Sequence, residues 1–221
     1  MVVKFKKGPA ASRTPALDRE ARAISFVGDD HSLVAALRKG HPAAIAAFHD
    51  RYAEHMRRLL VRILGRDPEL EDVHHEVFVR ALSSISSLED PDCLTKWMVS
   101  VAVFSARTCL QRRYRGRWLQ FTSPAELAQN DRAQYEHDWN ALAELEVTYQ
   151  LLDRLPADER ILFTLRFIDG MELVALAEAC HVSLATAKRR LKRAESRFLA
   201  LASRHPLLGT RIDEGGRWSR G

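Results

Sequence analysis

Between Ser183 and Phe198 the chain has few options other than a helix. Leu184, Ala187, Leu191, Ala194 and Phe198 recur at intervals of three and four residues and so share one helical face. Thr186, Lys188, Arg189, Arg190, Arg193 and Arg197 take the remaining surface. Ser183 suits the N-cap, because its hydroxyl can satisfy a first-turn amide that has no partner inside the helix. Upstream, Met171 to Cys180 repeats the pattern on a smaller scale through Leu173, Leu176 and Ala177, which leaves His181-Val182-Ser183 as a tight turn. A short helix, a three-residue turn and a long basic helix are the layout of a helix-turn-helix, whose second helix enters the major groove of DNA. A basic helix alone is more often a solvated face. Here the cap, the turn length, the small residues at the crossing (Ala177, Ala187) and the one-sided charge all agree.

No other segment alternates apolar and polar residues for long enough to form a strand, so the chain reads as all-α. The pattern predicts a flexible tail over 1–28, a helical domain over 29–115, a linker over 116–140, the helix-turn-helix domain over 141–205 and a second tail over 206–221. In the first domain, Ser32 to Lys39 suits a short helix stopped by Gly40. Pro42 opens a long one through Ile45, Phe48, Tyr52, Leu59 and Ile63 to Gly65. Asp67-Pro68 restarts a helix with Leu70, Val73, Val77 and Leu82 inward, and Ser83 to Asp92 reads as a loop. Leu94, Trp97, Met98, Val101 and Ser105 then lead a helix that runs into Arg107, Arg112, Arg113, Tyr114, Arg115, Arg117 and Trp118. In the second domain, Ala157 to Ile168 follows Leu155-Pro156 and buries Ile161, Leu162 and Leu165.

Composition narrows the functional classes. With 46% hydrophobic and 29% charged residues, the 221-residue chain is an ordinary globular one, and its net charge of +5 leans towards a polyanionic partner. Cys93, Cys109 and Cys180 are odd in number and lack metal-ligand spacing, so reduced thiols in a cytoplasmic protein are expected. Lys4, Lys6 and Lys7 precede no apolar run of signal-peptide length, and Met98 to Ala106 is too short to span a bilayer, so no membrane contact is expected. No Gly-rich phosphate loop, nucleophile elbow or paired carboxylates occur, so neither bond chemistry nor a cofactor is expected. Glu71, His74 and His75 have a spacing that could hold a metal. No further ligand accompanies them, whereas structural zinc wants four, and no metal site is assigned. Tyr114 and Trp118 suit either base stacking or capping of the domain core.

Taken in order, the chain carries Glu71-Asp72-Val73-His74-His75-Glu76-Val77-Phe78, a basic helix with Trp97, then Leu155-Pro156-Ala157-Asp158-Glu159-Arg160 and finally Thr186 to Ala194. This series resembles the extracytoplasmic-function (ECF) sigma factors of bacterial RNA polymerase, group 4 of the sigma-70 family, which keep only conserved regions 2 and 4. The likeness covers residues 29–115 and 141–203. It implies a factor that binds core RNA polymerase and directs initiation at promoters with −10 and −35 elements. Asp72, His75 and Glu76 would face the coiled coil of the largest polymerase subunit. The loop after Leu82, Trp97, Arg107, Arg112, Arg113 and Tyr114 would take the −10 element. Thr186, Lys188, Arg189, Arg190, Lys192 and Arg193 would meet the −35 element. An anti-sigma protein clamped between the domains is also implied. Three positions depart from the family pattern: His75 stands for the usual Gln, Val103-Phe104 for Arg-Asn, and His181 for the turn Gly. They keep open a second reading, a sigma-like DNA-binding regulator that has lost initiation activity. In the turn, His181 must then take positive φ, a conformation uncommon outside Gly but tolerated by His better than most.

Overall fold

The computed structural model describes residues 28–119 and 139–213, with side chains over 28–114 and 143–209. The expected tail over 1–28, apart from its last residue, and most of the expected linker over 116–140 lie outside the described residues. Nine α-helices and no strand occur among the described residues. The amino-terminal lobe holds α1 (Asp30–Arg38), α2 (Pro42–Leu64), α3 (Leu70–Ser84) and α4 (Leu94–Leu119). The carboxy-terminal lobe holds α5 (Trp139–Leu152), α6 (Ala157–Phe163), α7 (Leu173–Ala179), α8 (Leu184–Ala202) and α9 (Pro206–Asp213).

Helix ends follow local chemistry. Asp29 caps α1 by accepting from the Ser32 amide at 2.8 Å, which, with the Ser32 hydroxyl, holds its carboxyl below the usual range. At the other end of α1, the amides of Gly40 and His41 return to the carbonyls of Leu37 and Ala36, a Schellman closure with Gly40 at φ +68°. Three boundaries differ from the sequence pattern. The segment from Ser83 to Asp92 is more ordered than a loop: the Ser83 and Ser84 hydroxyls donate back to the Arg80 carbonyl, and 3₁₀ turns follow at Ile85–Ser87 and Pro91–Cys93. Helix α4 continues through Gly116 to Leu119, because one glycine weakens a helix without ending it. Within the expected tail, Pro206–Asp213 is helical, with Pro206 at its start, where the missing amide costs nothing.

The core begins with Phe48, Met56, Leu60 and Ile63 of α2 against Val77 and Ala81 of α3 and Met98, Ala102 and Ala106 of α4, all fully buried or nearly so. Phe48 meets Phe78 edge to face at 5.7 Å. The same apolar cluster runs on into Ile161, Leu162, Leu165, Leu176, Ala187 and Leu191, so the two lobes share one core. A second cluster, of Val147, Leu152, Phe163, Ala194 and Phe198, belongs to the carboxy-terminal lobe alone. No helix among the described residues is long and apolar enough to cross a membrane.

Candidate nucleic-acid interface

The turn between α7 and α8 is built by the residue that the sequence singles out. The His181 amide donates to Glu178 O and the Val182 amide to Ala177 O, both at 3.0 Å, the same Schellman closure that ends α1. His181 stands where α1 has Gly40, at φ +53°. Ser183 then caps α8, its Oγ accepting from the Thr186 amide at 3.2 Å and bonding Thr186 Oγ1 at 2.9 Å. Ala187, Leu191, Ala194 and Phe198 are buried as the stripe predicts. Leu184 is the exception, 38% exposed, because it faces a groove between the lobes that Trp97, Met171 and Val174 also line.

Lys188, Arg189, Lys192 and Arg193 are exposed on α8, and none forms an ion pair among the described residues. Such a row of uncompensated cations suits a phosphate backbone. Arg190 is placed differently. Its Nη1 donates to Asp158 Oδ2 at 2.9 Å, while Arg197 grips the buried Glu159 through both carboxylate oxygens at 2.8 and 2.9 Å. These two arginines fasten α8 to α6.

The α4 residues are also engaged. Arg107 donates through Nη2 to the Cys180 carbonyl at 3.3 Å, and its Nε lies 2.9 Å from Asp158 Oδ1. Arg112 pairs with Glu69, and Arg113 with Asp67 and Glu69, on the connection between α2 and α3. Burial alone would raise the Glu69 pKa, but the donors of Arg113 and Arg112 outweigh it and hold its carboxyl below the usual range. Tyr114 is exposed, and Trp97 is half-buried against the core with one edge in the groove. On α3, Asp72 and His75 are exposed, while Glu76 reaches Arg80 one turn on. His74 turns inward instead, with Nε2 3.0 Å from Ala53 O and its ring against Phe78. Glu71 pairs with Arg57. The spacing that suggested a metal therefore splits between two different neighbourhoods. Of the residues that depart from the family pattern, Val103 is buried, and Phe104 is exposed beneath the Arg80 guanidinium, 4.8 Å from its ring centroid.

Residues 145–198 match the family described as Sigma-70, region 4. That span holds the helix-turn-helix and the α6 carboxylates to which its arginines are tied. Beyond it, the chain is 24% identical to the ECF RNA polymerase sigma factor SigW of Bacillus subtilis, over 71% of this chain and 88% of that one. It is 28% identical to the ECF RNA polymerase sigma-E factor of Haemophilus influenzae, over 75% and 90%. The chain resembles the ECF sigma factors. The chain also shares its fold with CnrH, solved in complex with the cytosolic domain of CnrY. The TM-score is 0.51 at 21% identity, covering 78% of this chain and 96% of that one.

Sequence reasoning assigned no role to the groups that join the lobes. Helix α2 ends with four carbonyls, Val61 to Leu64, that need partners outside their own helix. The Gly65 amide serves Val61, at 2.8 Å. The Tyr149 hydroxyl donates to Arg62 O at 2.9 Å and sits 3.3 Å from Val61 O. Arg160, only 2% exposed, donates through Nε to Ile63 O at 3.0 Å and through Nη2 to Leu64 O at 2.9 Å, and pairs with Asp153. Burial pulls the Arg160 pKa below the ordinary arginine value, and Asp153 opposes that pull. Arg62 also pairs with Asp169 across the lobes. The one hint in the sequence was an arginine set directly before Ile161-Leu162-Phe163, where a charge must be buried with partners.

Proposed function

We infer that this sigma factor directs core RNA polymerase to initiate transcription at promoters chosen by its two lobes, and that it carries out no bond chemistry of its own. The observation that carries this is the exposed cationic row on α8, presented by a capped helix-turn-helix inside the region 4 match. Lys188, Arg189, Lys192 and Arg193, with Thr186 and Arg190, are proposed to meet the −35 element, as a helix in the major groove can reach both phosphates and base edges. Trp97, Arg107, Arg112, Arg113 and Tyr114 are proposed for the −10 element, where unpaired bases want aromatic faces beside cations. Asp72, His75 and Glu76 are proposed for the polymerase. Residues 29–115 and 141–205 would then be the promoter-reading domains, acting in the cytoplasm, with an anti-sigma protein as regulator.

Run-off transcription with purified core polymerase tests the whole reading: a promoter-dependent transcript is expected only when the factor is added. Asp72→Ala combined with Glu76→Ala should abolish co-purification with core polymerase at unchanged helical content. DNA binding without any transcript would instead describe a regulator that no longer initiates.

A further inference from the structure

We propose that the apolar groove between the lobes is a docking site for a segment of this same chain, residues 22–27, which lead into α1. The occupant is part of the molecule itself and is independent of the promoter-reading roles proposed above. Any partner protein that seats in the groove must first displace it.

The groove holds about 1440 Å³, more than the roughly 300–1,000 Å³ of a small-molecule pocket, so a peptide segment suits it better. Leu59, Trp97, Met171, Val174 and Leu184 line it. Val174 is 59% exposed and Leu184 38% exposed. Large apolar side chains gathered on one open cleft mark a surface that something covers. The charges on the rim are unequal. Arg58 and Arg62 are already paired, with Glu54 and Asp169, which leaves Lys96 against Glu89, Asp90 and Glu178. An apolar segment with cations beside it fits such a site.

Chain connectivity selects which segment. Residues 1–27, 120–138 and 214–221 lie outside the described ones, and the first stretch alone joins the fold beside the groove. The Gly28 carbonyl accepts from Arg51 Nη2 at 2.9 Å, one helical turn before His55, which lines the groove. His31 bonds Asp92 at 3.1 Å, next to Cys93, which also lines it. By contrast, α4 carries the chain from Trp97 at the groove to Leu119, roughly 33 Å away, and residues 120–138 must still close onto Trp139. Helix α8 likewise leads about 27 Å from Leu184 to Ala202 before α9 begins. Along α2 the groove runs from His55 to Arg62, about 10 Å. Residues 22–27 reach about 20 Å when extended, enough to cover it. In that conformation Arg22, Ile24 and Phe26 share one side, the apolar pair for the Trp97 and Leu184 wall and the arginine for the acidic rim. Residues 1–27 as a whole carry six cations against two anions, the sign that rim attracts.

The test uses the full chain and reads Cys93, which lies on the groove while Cys109 and Cys180 are buried. Ile24→Asp combined with Phe26→Asp should leave helical content unchanged. The rate of Cys93 alkylation should rise about threefold or more, because it follows the fraction of time the groove stands empty. Added carboxylates near the thiol would by themselves raise its pKa and slow the reaction, so a rise is diagnostic. A synthetic peptide of residues 18–27 should slow labelling of that variant again, whereas a scrambled peptide should not. In a Phe26→Cys variant, a short bismaleimide should join the new thiol to Cys93 within one chain. An unchanged rate with no cross-link would leave the groove to a partner protein and overturn the proposal. A cross-link between two chains, with protection that grows with protein concentration, would assign the groove to a second copy and overturn it as well. Should the double aspartate variant lose helical content, Ile24→Ser with Phe26→Ser gives the same readout without the charge.

Discussion

Arg160→Met is the sharpest test of how the lobes are joined. The substitution keeps an unbranched, flexible side chain of comparable length but removes every donor. Asp153 is 41% exposed and can rehydrate, so its loss counts for little. The cost falls on Ile63 O and Leu64 O, which lose charged donors at 3.0 and 2.9 Å in a place where Arg160 itself is almost fully buried. Hydrogen bonds to charged groups are each worth about 1.5–3 kcal/mol. Some water will reach the helix end, and the apolar thioether recovers part of the packing, so a net loss of roughly 3 kcal/mol is expected. For a chain of this size that corresponds to a fall of about 6–12 °C in Tm. Urea unfolding followed by circular dichroism reads the loss directly, and Arg160→Lys should fall in between, since one ammonium cannot reproduce the two-pronged contact. A loss below about 1 kcal/mol for Arg160→Met would mean that the α2 carbonyls are satisfied without it, and the capping argument would be wrong.

Four smaller effects can be measured by the same unfolding assay. Ser183→Ala removes the α8 cap and should cost about 1 kcal/mol. His181→Gly should stabilise by up to about 1 kcal/mol by relieving the positive φ, whereas a β-branched residue there should destabilise; equal stabilities would refute the strain. Gly65→Ala should cost about 1–3 kcal/mol, because its φ of +73° disfavours a Cβ that Tyr149 also blocks. Glu69 has its pKa depressed from 4.5, so its pairs with Arg112 and Arg113 add stability above that pH and lose it as pH falls through the lowered value. The stability gap between wild type and Glu69→Gln should accordingly narrow as pH falls below 4.5, and a gap that does not narrow on acidification would contradict it.

Thiol labelling offers an independent view of the packing. Cys93 is half-exposed on the groove, while Cys109 and Cys180 are buried, and burial pushes the Cys180 thiol up to about 11. In the native protein Cys93 should therefore alkylate first, and Cys180 only as the protein opens. Rapid labelling of Cys180 in the folded chain would argue against its burial.

Local information was enough for the helices and for the turn that matters most. The spacing of Ala187, Leu191, Ala194 and Phe198 and the cap at Ser183 are properties of neighbouring residues, and each is present in the fold, as is the positive φ at His181 that the family resemblance implied. Short-range patterns report periodicity and capping, because both act within one or two helical turns. Partners distant in sequence leave no such trace. The pattern presented Arg112, Arg113 and Arg190 as a cationic surface, whereas the fold brings Glu69, Asp67 and Asp158 against them. The pattern also made α2 end at Gly65 without saying what would satisfy its last carbonyls. The groups that do so, Tyr149 and Arg160, lie more than 80 residues further on.

The sequence by itself determined that this chain is helical, where most of its helices start and stop, and which residues make the turn before α8. Only the tertiary structure decided which arginines remain uncompensated and that two lobes share one core. Helix formation is governed by contacts a few residues apart. The environment of a charge is governed by whatever the rest of the chain folds against it.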